Sequence, residues 1–596
     1  MFHSKNTLKM KNILKTTILA FTTICFISCE DLKFGDKFLE KAQSQDFSID
    51  SVFSKKIYAE QALSQVYRSL PFGLQTGQGD ATSKIGLDIL ESITDLSYST
   101  LTYGGAMTGY YTGSLTSSTN PKNTTYNFEK SGGWDGIRDA HIFIENIDRV
   151  PDMTSEEKAI RKAEAKMIVA IHYAEMFRYF GGLPLLDKVY SAEDKPQLPR
   201  MTAEATLNHI VTLLNEVATV LPWKIENPVV DDGRMTAAAA MGLKVRVLLF
   251  AASPLFNDNE PYMTGPAADN KLVWFGAKNE TRWNDVKVAC EDFLTRLNNE
   301  SAYSLVNSGS PRDDFRKAYY DRNNGEVLIS TRKGYKGYTG TFFENASYGS
   351  CNPTLDYVNM FPMKDGSDFD WNNATAAQYP FFDATGNPVR DPRLYESILV
   401  NGDVYQGRKA QLYIGGDERK TDDKTKGIAA TGFVIRKFRL DVNSAAGTVL
   451  HWPYLRLPEI YLSYAEALNE INAGPTTTAY EMLNKTRDRV AVGRVATGLN
   501  QAQFREAILR ERALEFGFEE VRYFDIIRWK RQDIMQKKCK GLTINLVNNG
   551  ATLTYEQFEI PITRDWQTRW NAKWYLTPFP IDEVNKGYGI SQNPGW

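Results

Sequence analysis

Two stretches of the 596-residue chain combine flat aromatic rings with short polar side chains. The first runs from Asp95 through Tyr98, Tyr103, Tyr110 and Tyr111 and is rich in Gly, Ser and Thr. The second runs from Arg332 through Tyr335, Tyr338, Phe342 and Asn345. Trp274 and Trp371 sit in two further polar loops. A ring offers a face for stacking, while Asp, Asn and Arg bond polar groups at a rim. That chemistry recognises a ligand without making or breaking bonds. The competing reading is that each ring packs its loop onto a scaffold, since most large aromatics are substantially buried.

Motifs for reactive chemistry are missing from the sequence. It has no GxSxG, no HExxH and no phosphate-binding glycine loop. A glycosidase needs only two placed carboxylates, which no spacing rule reveals. The chain is read as a binding protein and not an enzyme. Its five histidines form no metal pair, and His172 falls in a helical pattern where packing explains it. Asp417-Glu418 and Asp422-Asp423 supply the oxygen ligands that calcium takes. Their spacing does not fit an EF-hand loop, so a solvated turn is the simpler reading and a structural calcium the alternative; no other cofactor is indicated. With 70 basic and 72 acidic residues there is no basic footprint, so nucleic acid is not an expected partner.

The N-terminus reads as a targeting segment. Lys5, Lys9, Lys11 and Lys15 precede an apolar run, Ile18 to Ile27, that is too short to span a membrane. Met10 would serve as a start as well as Met1. Ser28-Cys29 closes the run and resembles a bacterial lipobox, in which the Cys29 thiol takes a diacylglycerol. Residues 1–28 are then a lipoprotein signal peptide, and the chain from Cys29 carries 66 basic against 72 acidic residues. The other cysteines apart from Cys25, namely Cys290, Cys351 and Cys539, are scattered, with no CxxC. Buried free thiols are expected.

Helical periodicity supplies the elements that must position these loops. Thr154 and Glu157 form a capping box ahead of a helix over Ala159–Phe180, which Gly181-Gly182 ends. Further helices are predicted over Ala203–Leu221, from Thr236 to Pro254, and over Trp283–Leu297. The third of these helices is nearly all small and apolar, which predicts burial between neighbours. Residues 300–455 are rich in Gly, Asn, Asp and Tyr, with short β-like runs at Glu326–Thr331 and Gly432–Phe438. A second helical block follows, with Pro458 at N1 of a helix to about Asn472, then Thr478–Arg489 and Gln501–Phe516. The chain is expected to end in loops rich in Pro, Gly and Trp. No repeat of fixed period stands out.

Six segments, in order, resemble motifs of the SusD/RagB family of Bacteroidetes outer-membrane lipoproteins. They are Arg161–Leu185, Arg234–Asn257 with its Leu248-Leu249-Phe250-Ala251-Ala252-Ser253-Pro254-Leu255-Phe256-Asn257 end, and Arg390-Asp391-Pro392-Arg393-Leu394. Leu455–Ala467, Glu511–Trp529 and Tyr575–Trp596 complete the series. The chain departs from the pattern at Phe518-Glu519-Glu520-Val521, a scaffold turn. The motif residues read as structural: Arg512 and Glu515 as helix-packing contacts, and Trp529 as core.

The resemblance implies a mostly α fold, a tetratricopeptide-like helix-pair scaffold carrying a large, irregular, loop-rich ligand-binding part. It implies one domain over 29–596, with the scaffold at about 50–300 and 455–530 and the insert at about 300–455. It implies a cell-surface glycan-binding lipoprotein. This would capture oligo- or polysaccharide and deliver it to a SusC-like TonB-dependent transporter. Glu30 and Asp31 behind Cys29 resemble a surface-export signal, which points to a lipid-anchored protein on the outer membrane, facing the cell exterior. The alternative is a RagB-like lipoprotein that captures peptides; a third reading is a scaffold that chiefly closes the transporter.

Overall fold

Thr154 and Glu157 do close a capping box, the hydroxyl accepting from the Glu157 amide at 3.1 Å and the Glu157 carboxylate from the Thr154 amide at 2.9 Å. The structure, a computed structural model, describes residues 48–74, 88–102, 105–118, 132–191, 194, 196–332, 349–439, 451–548 and 552–596. The first helical block comprises α1 (Lys56–Tyr67), α2 (Gly132–Asn146), α3 (Ser155–Phe180), α4 (Ala203–Val220), α5 (Ala237–Ala252) and α6 (Thr281–Glu300). A shorter helix, α7 (Pro311–Tyr320), opens the insert. The second block comprises α8 (Pro458–Ile471), α9 (Thr477–Arg489), α10 (Gln501–Phe516) and α11 (Arg522–Arg528). Each helix of the first block packs on the one before it, α8 closes on α6, and α9 and α10 pack on α8.

Small residues let α5 sit at the centre, as its composition predicts. A Cβ at Gly242 would come within 2.9 Å of Leu455 and 3.0 Å of Leu328. α3 is buried from Ala163 to Phe180 except at Lys166, and His172 packs against the Ser69 hydroxyl at 2.8 Å. Two strands knit the insert to the second block: β1 (Val327–Arg332) pairs antiparallel with β2 (His451–Arg456) across a bulge. The tail differs from expectation. It contains a hairpin of two eight-residue strands, β3 (Lys540–Val547) with β4 (Thr552–Glu559), rather than loops alone. The alternation of Leu542 and Ile544 inward, and the Leu553–Tyr555 repeat opposite, is its two-residue signature.

A buried ionic lattice welds the insert to the second block, and the family-like motifs are its nodes. Asp391 caps the helix Pro392–Ser397 by accepting from the Arg393 amide. Arg393 returns two bonds to Asp391 and reaches Glu511 at 2.6 Å and Glu515 at 3.2 Å. Arg456 binds Glu515, Glu519 and Glu326 at 2.9, 2.7 and 3.1 Å, while Arg489 binds Glu326 and Glu515. Burial opposes the charge on Glu515, yet Arg489, Arg456 and Arg393 hold its carboxyl well below the usual range. Arg512 pairs with Asp525 at 2.8 Å, so it and Glu515 are packing contacts with separate partners. Trp529 is half-buried, stacked on Trp283 at 5.8 Å. The divergent turn holds Phe518 at φ 65° and Glu520 at φ 59°, with Glu519 gripping Lys437 at 2.6 Å. Cys290, Cys351 and Cys539 are buried and unpaired. Among the described residues, no helix is long and apolar enough to cross a membrane.

Candidate ligand-binding face

The first aromatic stretch rests against residues 349–353. The short strand Ser97–Tyr98 pairs antiparallel with Asn352–Pro353. The Thr100 amide donates to the Gly349 carbonyl at 2.8 Å, and the Ser92 hydroxyl to the Ser350 carbonyl at 2.9 Å. Trp452, 1% exposed, lies 6.3 Å from the Phe72 ring and 5.5 Å from Phe438. Gly73 must be glycine there, because a Cβ would fall 2.1 Å from the Trp452 ring. The Thr331 hydroxyl donates to the Pro71 carbonyl at 2.7 Å. Phe72, Phe438 and Trp452 therefore pack together, with Thr331 bonded to the neighbouring Pro71.

Arg332 follows Thr331 at the end of β1. It donates to the Asp232 carbonyl at 2.9 Å and to its carboxylate at 2.6 Å. Burial resists the charge on Asp232, but Arg332 and Arg322 together hold its carboxyl below the ordinary value. Gly233, at φ 88°, leaves room for the Arg332 guanidinium 2.9 Å from where a Cβ would stand.

Four of the expected ligand contacts, Asp95, Tyr98, Tyr110 and Tyr111, are buried and engaged within the scaffold. Asp95 forms a two-pronged pair with Arg522 at 2.9 and 2.8 Å; burial opposes its charge, and Arg522 more than compensates. Tyr98 is 1% exposed beneath the Arg564 guanidinium at 3.9 Å and accepts from Gln567 at 2.8 Å. The Tyr111 hydroxyl donates to the Ser92 carbonyl at 2.5 Å and accepts from the Ser99 amide at 2.9 Å. Burial pushes that phenol up to about 12. Tyr110 meets Trp566 and Trp574 of the tail, each at 5.8 Å. The tail's Arg564, Trp566 and Trp574 are the partners that sequence reasoning missed. Their density of Arg and Trp was a signal, but nothing in the order of residues paired them with positions 98–111.

Trp274 is half-buried and spends its indole N–H on the Ala268 carbonyl at 2.9 Å. Trp371, also half-buried, donates to Asn359 at 3.1 Å and lies 6.4 Å from Tyr555 of the hairpin. Tyr103, Tyr335, Tyr338, Phe342, Asn345 and Cys29 lie outside the described residues. The four acids weighed for calcium are otherwise engaged. Asp417 binds Lys420, Glu418 accepts from Arg408 and the Gln411 amide, Asp422 binds Arg419, and Asp423 closes a turn on Thr425. No group of three metal-ligating side chains occurs among the described residues.

Comparison with known proteins agrees with the architecture. Residues 306–596 match the model of the SusD family. A SusD-like protein of Bacteroides ovatus is 25% identical over 414 residues, covering 67% of this chain and 66% of that protein's own length. The starch-binding protein SusD of Bacteroides thetaiotaomicron is 23% identical over 466 residues, 76% of this chain and 75% of that one. The crystal structure of a SusD-like protein from Bacteroides fragilis superposes with a TM-score of 0.71 at 23% identity, over 93% of this chain and all of that one. Residues 306–596 thus match the SusD family model, and the chain shares the mostly α fold of SusD-like structures.

Proposed function

We propose that this protein captures a glycan at the cell surface and delivers it to a SusC-like TonB-dependent transporter, anchored to the outer membrane through a lipid on Cys29. The protein acts by binding and makes no covalent change in its ligand. The name of one relative, a starch-binding protein, supports this. The observation that carries it is the match of residues 306–596 to the SusD family model together with a fold shared over most of the chain with SusD-like structures. A sugar ring offers a flat apolar face and a rim of hydroxyls, which Tyr335, Tyr338, Phe342, Asn345 and Tyr103 match in chemistry.

Screening the purified full chain on a glycan array alongside a peptide library tests the reading. A glycan hit that survives moderate salt is expected, because stacking is not screened. Replacing Tyr335 and Tyr338 with Ala should weaken that hit ~5- to 100-fold, on the scale of lost ring stacking. A peptide hit with silence across the sugars would move the protein to peptide capture. Delivery is read separately, by co-purification of the transporter barrel, and anchoring by release of Cys29→Ser from the membrane fraction.

A further inference from the structure

A cleft of about 560 Å³ opens on the insert. Its walls are the turns at 378–386 and 401–409 and the outer strand β4. That volume suits one or two ligand units, within the range of small-ligand sites. Three half-buried rings line it: Tyr379, Phe382 and Tyr555. Two of them, Tyr555 and Phe382, are backed by further rings. Phe381 meets Tyr555 edge-on at 6.3 Å, Trp371 approaches Tyr555 at 6.4 Å, and Phe382 lies 5.4 Å from Tyr395.

The polar groups on these walls are unspent. Asn401 is 7% exposed, and its side-chain carbonyl accepts from the Leu412 amide at 2.9 Å, which fixes the orientation of the amide. Its NH₂ then has no partner among the described residues, though it is nine-tenths buried and lines the cleft. The hydroxyls of Tyr379 and Tyr555 and the amide of Gln378 likewise bond no other described residue. Burial pushes the Tyr555 phenol up to about 12, so it stays a donor at neutral pH. A donor that lines a cleft without a protein partner is satisfied by solvent or by an acceptor on a ligand.

Charge in the cleft is largely neutralised. The Asp403 carboxylate is held by Arg312 and Arg436, and Asp383 is closed into a turn with Thr385 and Asn387. Asp383 keeps its negative charge and exposed Lys409 supplies a positive one, so the two cancel in sum and salt screens both. Rings with free hydroxyls and a fixed amide donor, but no net charge, match a neutral sugar ring rather than an acidic ligand or a peptide terminus.

We propose that this cleft is a second glycan-binding site, taking a neutral glycosyl unit stacked between Tyr379 and Tyr555 and bonded by Asn401. The inference rests on the glycan reading above and adds to it a second point of hold on one long chain. Two linked points raise avidity without any new contact at either.

The test uses the purified full chain and the glycan-array hit, presented both as the long polysaccharide and as a short oligosaccharide of the same linkage. Three variants are compared with the parent: Tyr379→Ala, Tyr335→Ala with Tyr338→Ala, and Thr552→Arg. The last plugs the cleft from an exposed rim position and guards against misfolding at Tyr379. Both cleft variants should bind the polysaccharide ~5- to 10-fold more weakly than the parent, the scale of one lost ring contact. Retention of parental polysaccharide affinity by both cleft variants, while Tyr335→Ala with Tyr338→Ala abolishes binding, overturns this inference alone. Silence of the parent on every glycan overturns both readings.

Discussion

Glu91 should make the protein lose stability as the solution turns alkaline, and Glu91→Gln should remove that loss. The residue is fully buried in the short helix Leu90–Ile93 that underlies the ligand face. One carboxylate oxygen accepts from the Glu520 amide at 2.6 Å, and the other has no partner. Burial first, and then the nearby Glu520 charge, push the carboxyl up from 4.5 to about 8, against a weaker pull from Lys437. Below pH 4.5 the group is protonated in both folded and unfolded chains and adds no pH dependence. Between 4.5 and about 8 the folded chain keeps a proton that the unfolded chain releases. Stability therefore falls as pH rises, by ~1.4 kcal/mol per pH unit, or about 5 kcal/mol across the whole window. Glutamine keeps the acceptor for the Glu520 amide and cannot ionise. The assay is urea unfolding of parent and Glu91→Gln at matched pH values between about 5 and 8. Buried Asp88, pushed up to about 7, and His451, pushed down to about 4, titrate in both proteins and cancel in the comparison. The variant should lose roughly 4 kcal/mol less than the parent over that range. Parallel losses would refute the reasoning, because they would mean that Glu91 is already ionised or is solvated in the folded chain.

Two other perturbations test the frame. Arg393→Met leaves Asp391, Glu511 and Glu515 with an uncompensated buried charge, and should cost about 3–5 kcal/mol in denaturant unfolding. A cost below about 1 kcal/mol would mean that the lattice rearranges around the gap. Gly432→Ala places a Cβ 2.0 Å from the Leu542 carbonyl at a residue with φ 95°, so the hairpin must move or strain. A loss of at least about 1–3 kcal/mol is expected, read by thermal unfolding.

The helical frame is legible in the sequence because its signals are local. A capping box, a glycine stop and a proline at N1 each act within a few residues, and α3, α5 and α8 follow them closely. The hairpin β3–β4 is harder to read because its strands are half-exposed and interrupt the apolar alternation with Lys, Thr and Gln. Its Asn-Asn-Gly segment, 548–550, is still a recognisable turn signal. The site is harder still. Asp95 carries the residue type of a ligand contact, yet its partner Arg522 stands 427 positions away. Only the fold tells a polar group that waits for a ligand from one already satisfied.

That distinction changes what a tyrosine in this protein is for. Tyr98 and Tyr111 flank Arg564, whose guanidinium also donates to the Ser92 and Ser97 carbonyls. These rings and this cation hold the 92–99 stretch flat against 349–354, so they fix where the ligand face begins. Tyr555 is braced by Phe381 and Trp371, and Tyr379 lines the same cleft. A shallow site that gains little from each contact cannot also supply the ordering entropy of its own walls. The protein divides the two tasks. Buried tyrosines and ion pairs order the face as part of folding, and half-exposed tyrosines meet a ligand on walls already rigid. A ring lost from the first group acts on binding only through stability, whereas a ring lost from the second acts on binding directly.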